Sequence, residues 1–298
     1  MNASKLETVL ITGASSGIGL ELAKCFAAEG SNLILVARNR AALEQLAGEL
    51  RRQHQIEVHV LKADLARPES AQEIFAQTGR AGLTVDVLVN NAGFGLHGEF
   101  AELPLARQLE IIHVNVTALV ALTGLFLPGM VQRRRGGVLN VGSVAGFMPG
   151  PRMAIYFASK AFVQSFSEAL NEELRGSGVA VSVLCPGPTK TNFSQTARGY
   201  RQHEIQSPKM SAVAVALAGL RAFRRRQCVC VPGALNKLLM SAPRLLPRAG
   251  VRQLVGKFNR LKRTGLAGNI PAGQYVERDF ALTFCLDALY FRPWAGHH

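Results

Sequence analysis

The chain has 298 residues, 48% of them hydrophobic, enough for one large α/β domain with a proper core or for two small ones. A secretory leader is not expected, because Thr8-Val9-Leu10-Ile11 already reads as a strand entering a glycine turn, and no uninterrupted apolar run reaches the roughly 18 residues of a membrane span. The formal net charge is +14, and 13 Lys and Arg with no Asp or Glu fall between Ile205 and Val276, so the basicity belongs to the C-terminal third.

In chain order, apolar β-branched runs at 8–11, 33–37, 57–61, 85–89, 138–141 and 179–184, with a seventh at 227–231, predict strands. Helical patterns fill 17–29, 40–52, 68–78, 104–133 and 153–175. Alternating βα units predict an α/β fold: a Rossmann-like, doubly wound parallel sheet of about seven strands with right-handed crossovers. The strands are continuous apolar runs, as expected where helices cover both faces.

The first strand runs into Thr12-Gly13-Ala14-Ser15-Ser16-Gly17-Ile18-Gly19 and then a helix. Glycines there permit a tight turn and close backbone approach, and the helix N-terminus offers free N–H groups to a pyrophosphate. Gly13, Ser15, Ser16, Gly17, Ile18 and Gly19 are therefore candidate dinucleotide contacts. At the end of the second strand an acidic residue would hold the ribose 2′-hydroxyl of NAD, whereas arginine suits the 2′-phosphate of NADP. The chain has Arg38 and no acid in Val36-Ala37-Arg38-Asn39-Arg40, which favours NADP(H).

Further along, Tyr156 and Lys160 are spaced to share one helix face, with Ser143 upstream. A lysine ammonium beside a phenol favours the phenolate, so the tyrosine pKa is expected to fall from about 10. Five scattered cysteines are read as reduced thiols of a cytoplasmic protein, and no metal site is expected from them.

These motifs, in this order, resemble the short-chain dehydrogenase/reductase family over roughly residues 6–232. The matching positions are Thr12–Gly19, Asp64-Leu65, Asn90-Asn91-Ala92-Gly93, Asn115, Ser143, Tyr156, Lys160 and Pro186-Gly187. Locally, Pro186–Thr191 and Val231–Asn236 are similar to broad-range bacterial NADP-dependent reductases. The resemblance implies that Asp64 and Leu65 contact the adenine edge and that Asn90, Ala92 and Gly93 lie along the cofactor. It implies that Pro186, Gly187, Thr189 and Thr191 meet the nicotinamide end. Its implied catalytic tetrad is Asn115, Ser143, Tyr156 and Lys160, with Tyr156 as general acid or base and Ser143 as a second hydrogen-bond donor. Lys160 would also bind the nicotinamide ribose, and Asn115 would hold a water linking Lys160 to solvent. The expected reaction is NADP(H)-dependent interconversion of a carbonyl and an alcohol. A non-enzymatic dinucleotide-binding sensor or scaffold is the rival reading.

Residues 1–233 are read as the dinucleotide-binding catalytic domain and 234–298 as a basic extension that is not an independent domain. Apolar residues between Ser143 and Tyr156, with Phe193 and Tyr200, point to an apolar or bulky substrate. In the extension Val251, Leu254, Val255, Phe258 and Leu261 recur at helical spacing, with Arg252, Lys257, Arg260 and Arg263 mainly elsewhere. Three readings are open: a cap over the cleft or a subunit partner, peripheral contact of 234–263 with an anionic membrane, or a polyanion site. Nucleic acid ranks last because interleaved stacking aromatics are few. Family members are often oligomers, so a homo-oligomer is expected.

Overall fold

In the computed structural model, residues 6–191, 209–241 and 247–259 are described. The main strands are β1 (Thr8–Thr12), β2 (Asn32–Ala37), β3 (Val58–Lys62), β4 (Val87–Asn90), β5 (Gly136–Val141), β6 (Val179–Leu184) and β9 (Val229–Cys230). They form one sheet in the order β3-β2-β1-β4-β5-β6-β9, and every pairing is parallel. Two short strands, β7 (Thr189–Lys190) and β8 (Met210–Ser211), pair with each other.

The covering helices are α1 (Gly17–Ala28), α2 (Arg40–His54), α3 (Ser70–Arg80), α4 (Leu105–Ile112), α5 (Ala118–Gln132), α6 (Ala154–Glu173) and α7 (Ala212–Arg224). Strand side chains alternate between two apolar layers, as the pleat requires. Val9, Ile11, Leu33 and Leu35 pack with Leu22, Phe26, Leu43 and Phe223 of α1, α2 and α7. Leu10, Ile34, Val36 and Leu88 pack with Ile74, Leu122, Phe126 and Leu170 of α3, α5 and α6 on the other face. All residues of β1, β4 and β6 are buried, which explains their predominantly apolar sequence. The strand order reverses between β1 and β4, where sheets of this kind place ligands beyond the strand C-termini.

Two differences from the sequence expectations matter. The helix expected at 104–133 is continuous but contains a π-turn, His113–Thr117, between α4 and α5. Moreover, Leu105–Gln132 is long and apolar enough to cross a membrane by length and composition, with a mean hydropathy of 1.8 over its most apolar 18 residues. The threonines, glycines and proline that interrupt its apolar run do not offset the apolar residues around them. Here its inner face packs against the sheet through Leu119, Leu122, Phe126 and Met130, all buried.

The described part of the extension forms α8 (Ala234–Ser241) and α9 (Arg248–Phe258). Val251 and Val255 are buried, and Leu254 joins Met240, Val144, Phe147, Met148 and Val231 in a small apolar cluster. Leu254 thus packs on the loop between Ser143 and Tyr156, while Arg248, Arg252 and Lys257 stay exposed. This contact takes up part of the side that a lipid surface would use. Phe193, Tyr200, Arg260, Leu261, Arg263 and residues 264–298 lie outside the described residues.

Candidate active site

The glycine turn is fastened from beneath by Thr12 and Asn91. Thr12 Oγ1 donates to the Val89 carbonyl at 3.3 Å and accepts the N–H groups of Asn91 and Ala92, both at 3.0 Å. Asn91 Nδ2 donates to the carbonyls of Thr12 (2.9 Å) and Gly13 (3.2 Å). Gly13 has φ +65°, in the left-handed region. A Cβ on Gly19 would stand 2.3 Å from Asn91 Nδ2 and 2.4 Å from the Gly13 carbonyl oxygen, so no side chain fits there. Ser16 caps α1 in an extended conformation without a side-chain bond to the helix. The first-turn N–H groups of α1, at Gly17, Ile18 and Gly19, have no intrahelical acceptor. Ser15 lies half-buried within the turn.

Around this turn the other candidates take their places. Arg38 is exposed at the end of β2, while Asn39 caps α2 by accepting the Ala42 N–H (3.1 Å) and Arg40 pairs with Glu44. Asp64 folds its carboxylate onto the Ala66 N–H (3.1 Å), and Leu65 enters the core at 8% exposure. Asn90 is turned inward: its Nδ2 donates to Asn140 Oδ1 (2.9 Å) and Thr123 Oγ1 (3.1 Å). Its side chain therefore ties β4 to β5 and α5, and only its main chain faces the cleft. Thr191 lies against the turn, with Cγ2 3.2 Å from where a Gly17 Cβ would be. The Pro186 carbonyl accepts the Val144 N–H (3.0 Å), and Thr189 Oγ1 donates to the Gly187 carbonyl (2.8 Å).

The candidate catalytic side chains meet at the C-terminal ends of β4 and β5. Ser143 caps a short 3-10 turn (Val144–Phe147), and its Oγ accepts the Ala145 N–H at 3.1 Å. That leaves the hydroxyl proton free to be donated. Ser143 is hydrogen-bonded to the Tyr156 hydroxyl. Lys160, one turn further along α6 and 5% exposed, has its Nζ 6.0 Å from the Tyr156 ring centroid and donates to the Val141 carbonyl at 2.8 Å. Asn115 sits in the π-turn, 1% exposed. Its Nδ2 donates to the Phe94 carbonyl and to Ser159 Oγ, and its Oδ1 accepts the Phe94 N–H, each at 3.0 Å. Asn115 thus clamps the loop carrying Gly93, where a Cβ would fall 3.0 Å from Asn115 Oδ1 and 3.4 Å from Lys160 Nζ. A π-turn in such a place is frequent at functional sites.

Burial pushes the Tyr156 phenol above its usual value, with the Ser143 hydrogen bond opposing it. The sequence expectation of a depressed phenol is therefore not met in the protein by itself. Lys160 is 6.0 Å from the ring and turned toward Val141, so desolvation prevails. Burial also lowers Lys160 to about 8. Beside Tyr156 lies a small, mostly apolar cavity lined by Leu96, Phe100, Leu103, Ile111, Met153 and Ile155, with Gln108 and Arg152 as its polar members.

A family model for short chain dehydrogenases matches residues 7–201. The chain belongs to that family. A very-long-chain 3-oxoacyl-CoA reductase from Anas platyrhynchos is 32% identical over 255 residues, which cover 84% of this chain and 79% of that protein. The chain spans only 52–58% of the length of several further reductases of that name. A short-chain dehydrogenase from Sphingobium yanoikuyae in complex with NADPH is 35% identical with a TM-score of 0.73, covering 89% of this chain and all of that one. A bulky-bulky ketone specific alcohol dehydrogenase from Comamonas testosteroni is 30% identical with a TM-score of 0.69, covering 89% of this chain and 98% of that one. A family member from Burkholderia phymatum in complex with NAD is 27% identical with a TM-score of 0.69, covering 90% of this chain and 100% of that one.

This short-chain dehydrogenase is an oxidoreductase whose fold binds a nicotinamide dinucleotide. The residues present fit that group: a side-chain-free cradle at Gly13 and Gly19, unbonded first-turn N–H groups, and Lys160 under Gly93. When bound, the dinucleotide supplies or accepts the hydride. Gly19→Ala is expected to lower both Tm and dinucleotide affinity, the latter by about tenfold or more, because its Cβ meets backbone that cannot yield. Fluorescence titration and thermal melting check this, and wild-type values in both would refute it.

Three positions outside the sequence-derived site belong to the architecture: Thr12, Asn91 and Ser159. Thr12 and Asn91 fall within the motifs that carry the family resemblance, but their clamp on the glycine turn is tertiary and leaves no local signal.

Proposed function

We propose that the protein reduces apolar or bulky carbonyl compounds with NADPH, and that long-chain 3-oxoacyl thioesters are the first substrates to test. The observation that carries this reading is the Ser143–Tyr156 hydroxyl pair held over Lys160 next to an apolar cavity. In reduction, Ser143 and Tyr156 donate hydrogen bonds to the carbonyl oxygen, and Tyr156 gives up its proton as charge develops there. Lys160 holds the resulting phenolate and orients the ribose. Asn115 fixes the loop that bears on both. The substrate class draws support from the printed activity of the 3-oxoacyl-CoA reductases and from the bulky-ketone enzyme.

The preference for NADPH rests on Arg38, exposed at the end of β2 with no acid beside it. Arg38→Leu is expected to raise KM for NADPH by about 10- to 100-fold, the worth of a charged hydrogen bond, with KM for NADH nearly unchanged. The experiment is NADPH and NADH oxidation with ketones, aldehydes and 3-oxoacyl-CoA esters of increasing length. No turnover with any of them would overturn the reading. The sensor or scaffold reading is disfavoured because dinucleotide binding alone needs no proton donor.

A further inference from the structure

Arg152 joins three chain segments at the mouth of the cavity beside Tyr156. Its backbone is left-handed, φ +67°, a conformation that glycine or asparagine adopts with less strain. Its carbonyl accepts the Gly98 N–H at 2.9 Å. Its guanidinium Nε and Nη2 both bond Glu99 Oε1, at 2.7 and 2.6 Å. The remaining nitrogen, Nη1, reaches the carbonyl of Asn259 at 3.5 Å, just past the end of α9. From the other direction, Asn259 Nδ2 donates to the Pro151 carbonyl at 2.8 Å. Within α9, a Cβ at Gly256 would touch the Pro151 ring at 3.5 Å, and Val251 and Val255 are buried.

These contacts decide between two roles for an arginine at a substrate mouth. A receptor for an anionic substrate group would keep part of its fork free. Here every guanidinium nitrogen has a protein partner, two on the loop at Gly98-Glu99 and one on the C-terminal extension. The side chain therefore adds a tie that glycine, with its better fit to this backbone, could not supply.

We propose that Arg152 is a positioning residue that ties the C-terminal extension to the loop over Tyr156, making α9 the outer wall of the substrate mouth and favouring long apolar carbonyl compounds. The inference rests on the reductase reading above and deepens it. Leu254 packs with Met148 and Phe147 and so fixes α9 on the loop that leads to the cavity, where the hydrocarbon portion of a substrate, remote from the reacting carbonyl, would meet it. Binding energy at such a distance acts on the longer members of a substrate series and leaves the shortest untouched.

The test uses three full-length variants. Arg152→Gly removes the tie and relaxes the backbone, Glu99→Gln weakens one end, and Asn259→Ala loosens the other. Steady-state kinetics with NADPH and unbranched ketones of increasing length are expected to show KM rising by about tenfold for the long members. For the shortest ketone, kcat and KM stay near wild type in Glu99→Gln and Asn259→Ala, and KM for NADPH does not move. Hydrogen exchange of the 248–258 amides accelerates in all three variants. An equal loss of kcat at every chain length, or unchanged length discrimination, overturns the proposal. If the wild-type protein reduces no ketone, the reductase reading fails by itself. Exchange then still decides the tie, because unchanged protection of 248–258 in Arg152→Gly overturns it.

Discussion

Tyr156→Phe is expected to lower kcat for carbonyl reduction by about 10²- to 10⁴-fold, or roughly 3–5 kcal/mol in the barrier, with dinucleotide affinity and Tm nearly unchanged. The substitution keeps the ring, which packs edge-on to Phe157 and lies against Gly95. It removes only the hydroxyl that faces Ser143. Ser143 remains to donate one hydrogen bond to the developing alkoxide, but no group is left to deliver the proton. Ser143→Ala should also be slow, though by a different route, since one donor is lost while the acid survives. It also strips the Ala145 N–H of its acceptor, so some loss of Tm is expected in that variant alone. Single-turnover measurements separate the chemical step from release of the oxidised dinucleotide. Undiminished turnover in Tyr156→Phe would remove Tyr156 from the chemistry and assign the proton to another group.

The fold was legible because its strands are buried on both faces and so carry long β-branched runs that end in glycine turns. Ser143, Tyr156 and Lys160 became candidates because their residue types and spacing constrain chemistry directly, and the structure brings the three side chains together. What escaped was set by tertiary structure. The periodicity of 104–133 cannot reveal the extra residue of the π-turn, yet that turn gives Asn115 its place. The Thr12–Asn91 clamp joins residues 79 apart in the chain, and the Arg152–Asn259 tie joins residues 107 apart. Neither leaves a local pattern. The direction of the Tyr156 shift was misread for a related reason. Spacing places a lysine beside the phenol, but burial and the turn of Nζ toward the Val141 carbonyl decide which influence prevails. The extension shows the same lesson in reverse. Its amphipathic pattern was visible, but only packing shows that Val251 and Val255 are buried and that Leu254 meets Val144, Phe147 and Met148.

Lys160 should set an upper pH limit on reduction. Burial lowers its ammonium from the ordinary 10.5 to about 8, so it loses its proton within the range where the enzyme can be assayed. Cys185 lies close by, but burial pushes its thiol to about 12. It is therefore neutral near pH 8 and supplies no counter-charge to hold the ammonium. Reduction leaves Tyr156 as a phenolate until it is reprotonated, and a charged Lys160 adds to the Ser143 hydrogen bond in stabilising that anion. The value of kcat/KM is accordingly expected to fall above about pH 8, and Lys160→Met to be slower by about 10²-fold or more, without that descending limb. Cys185→Ala should keep the limb where it is. Stability supplies an independent check on the same group. Its folded pKa lies below its unfolded one, so the unfolded chain binds more protons between about 8 and 10.5. Wild-type stability therefore gains from this group as pH rises through that window, by about 3 kcal/mol at most, and Lys160→Met does not share the gain. Denaturation of both proteins at pH 7.5 and 10 measures the difference. A descending limb that persists in Lys160→Met, or a stability gap that does not change with pH, would assign the ionisation to another residue.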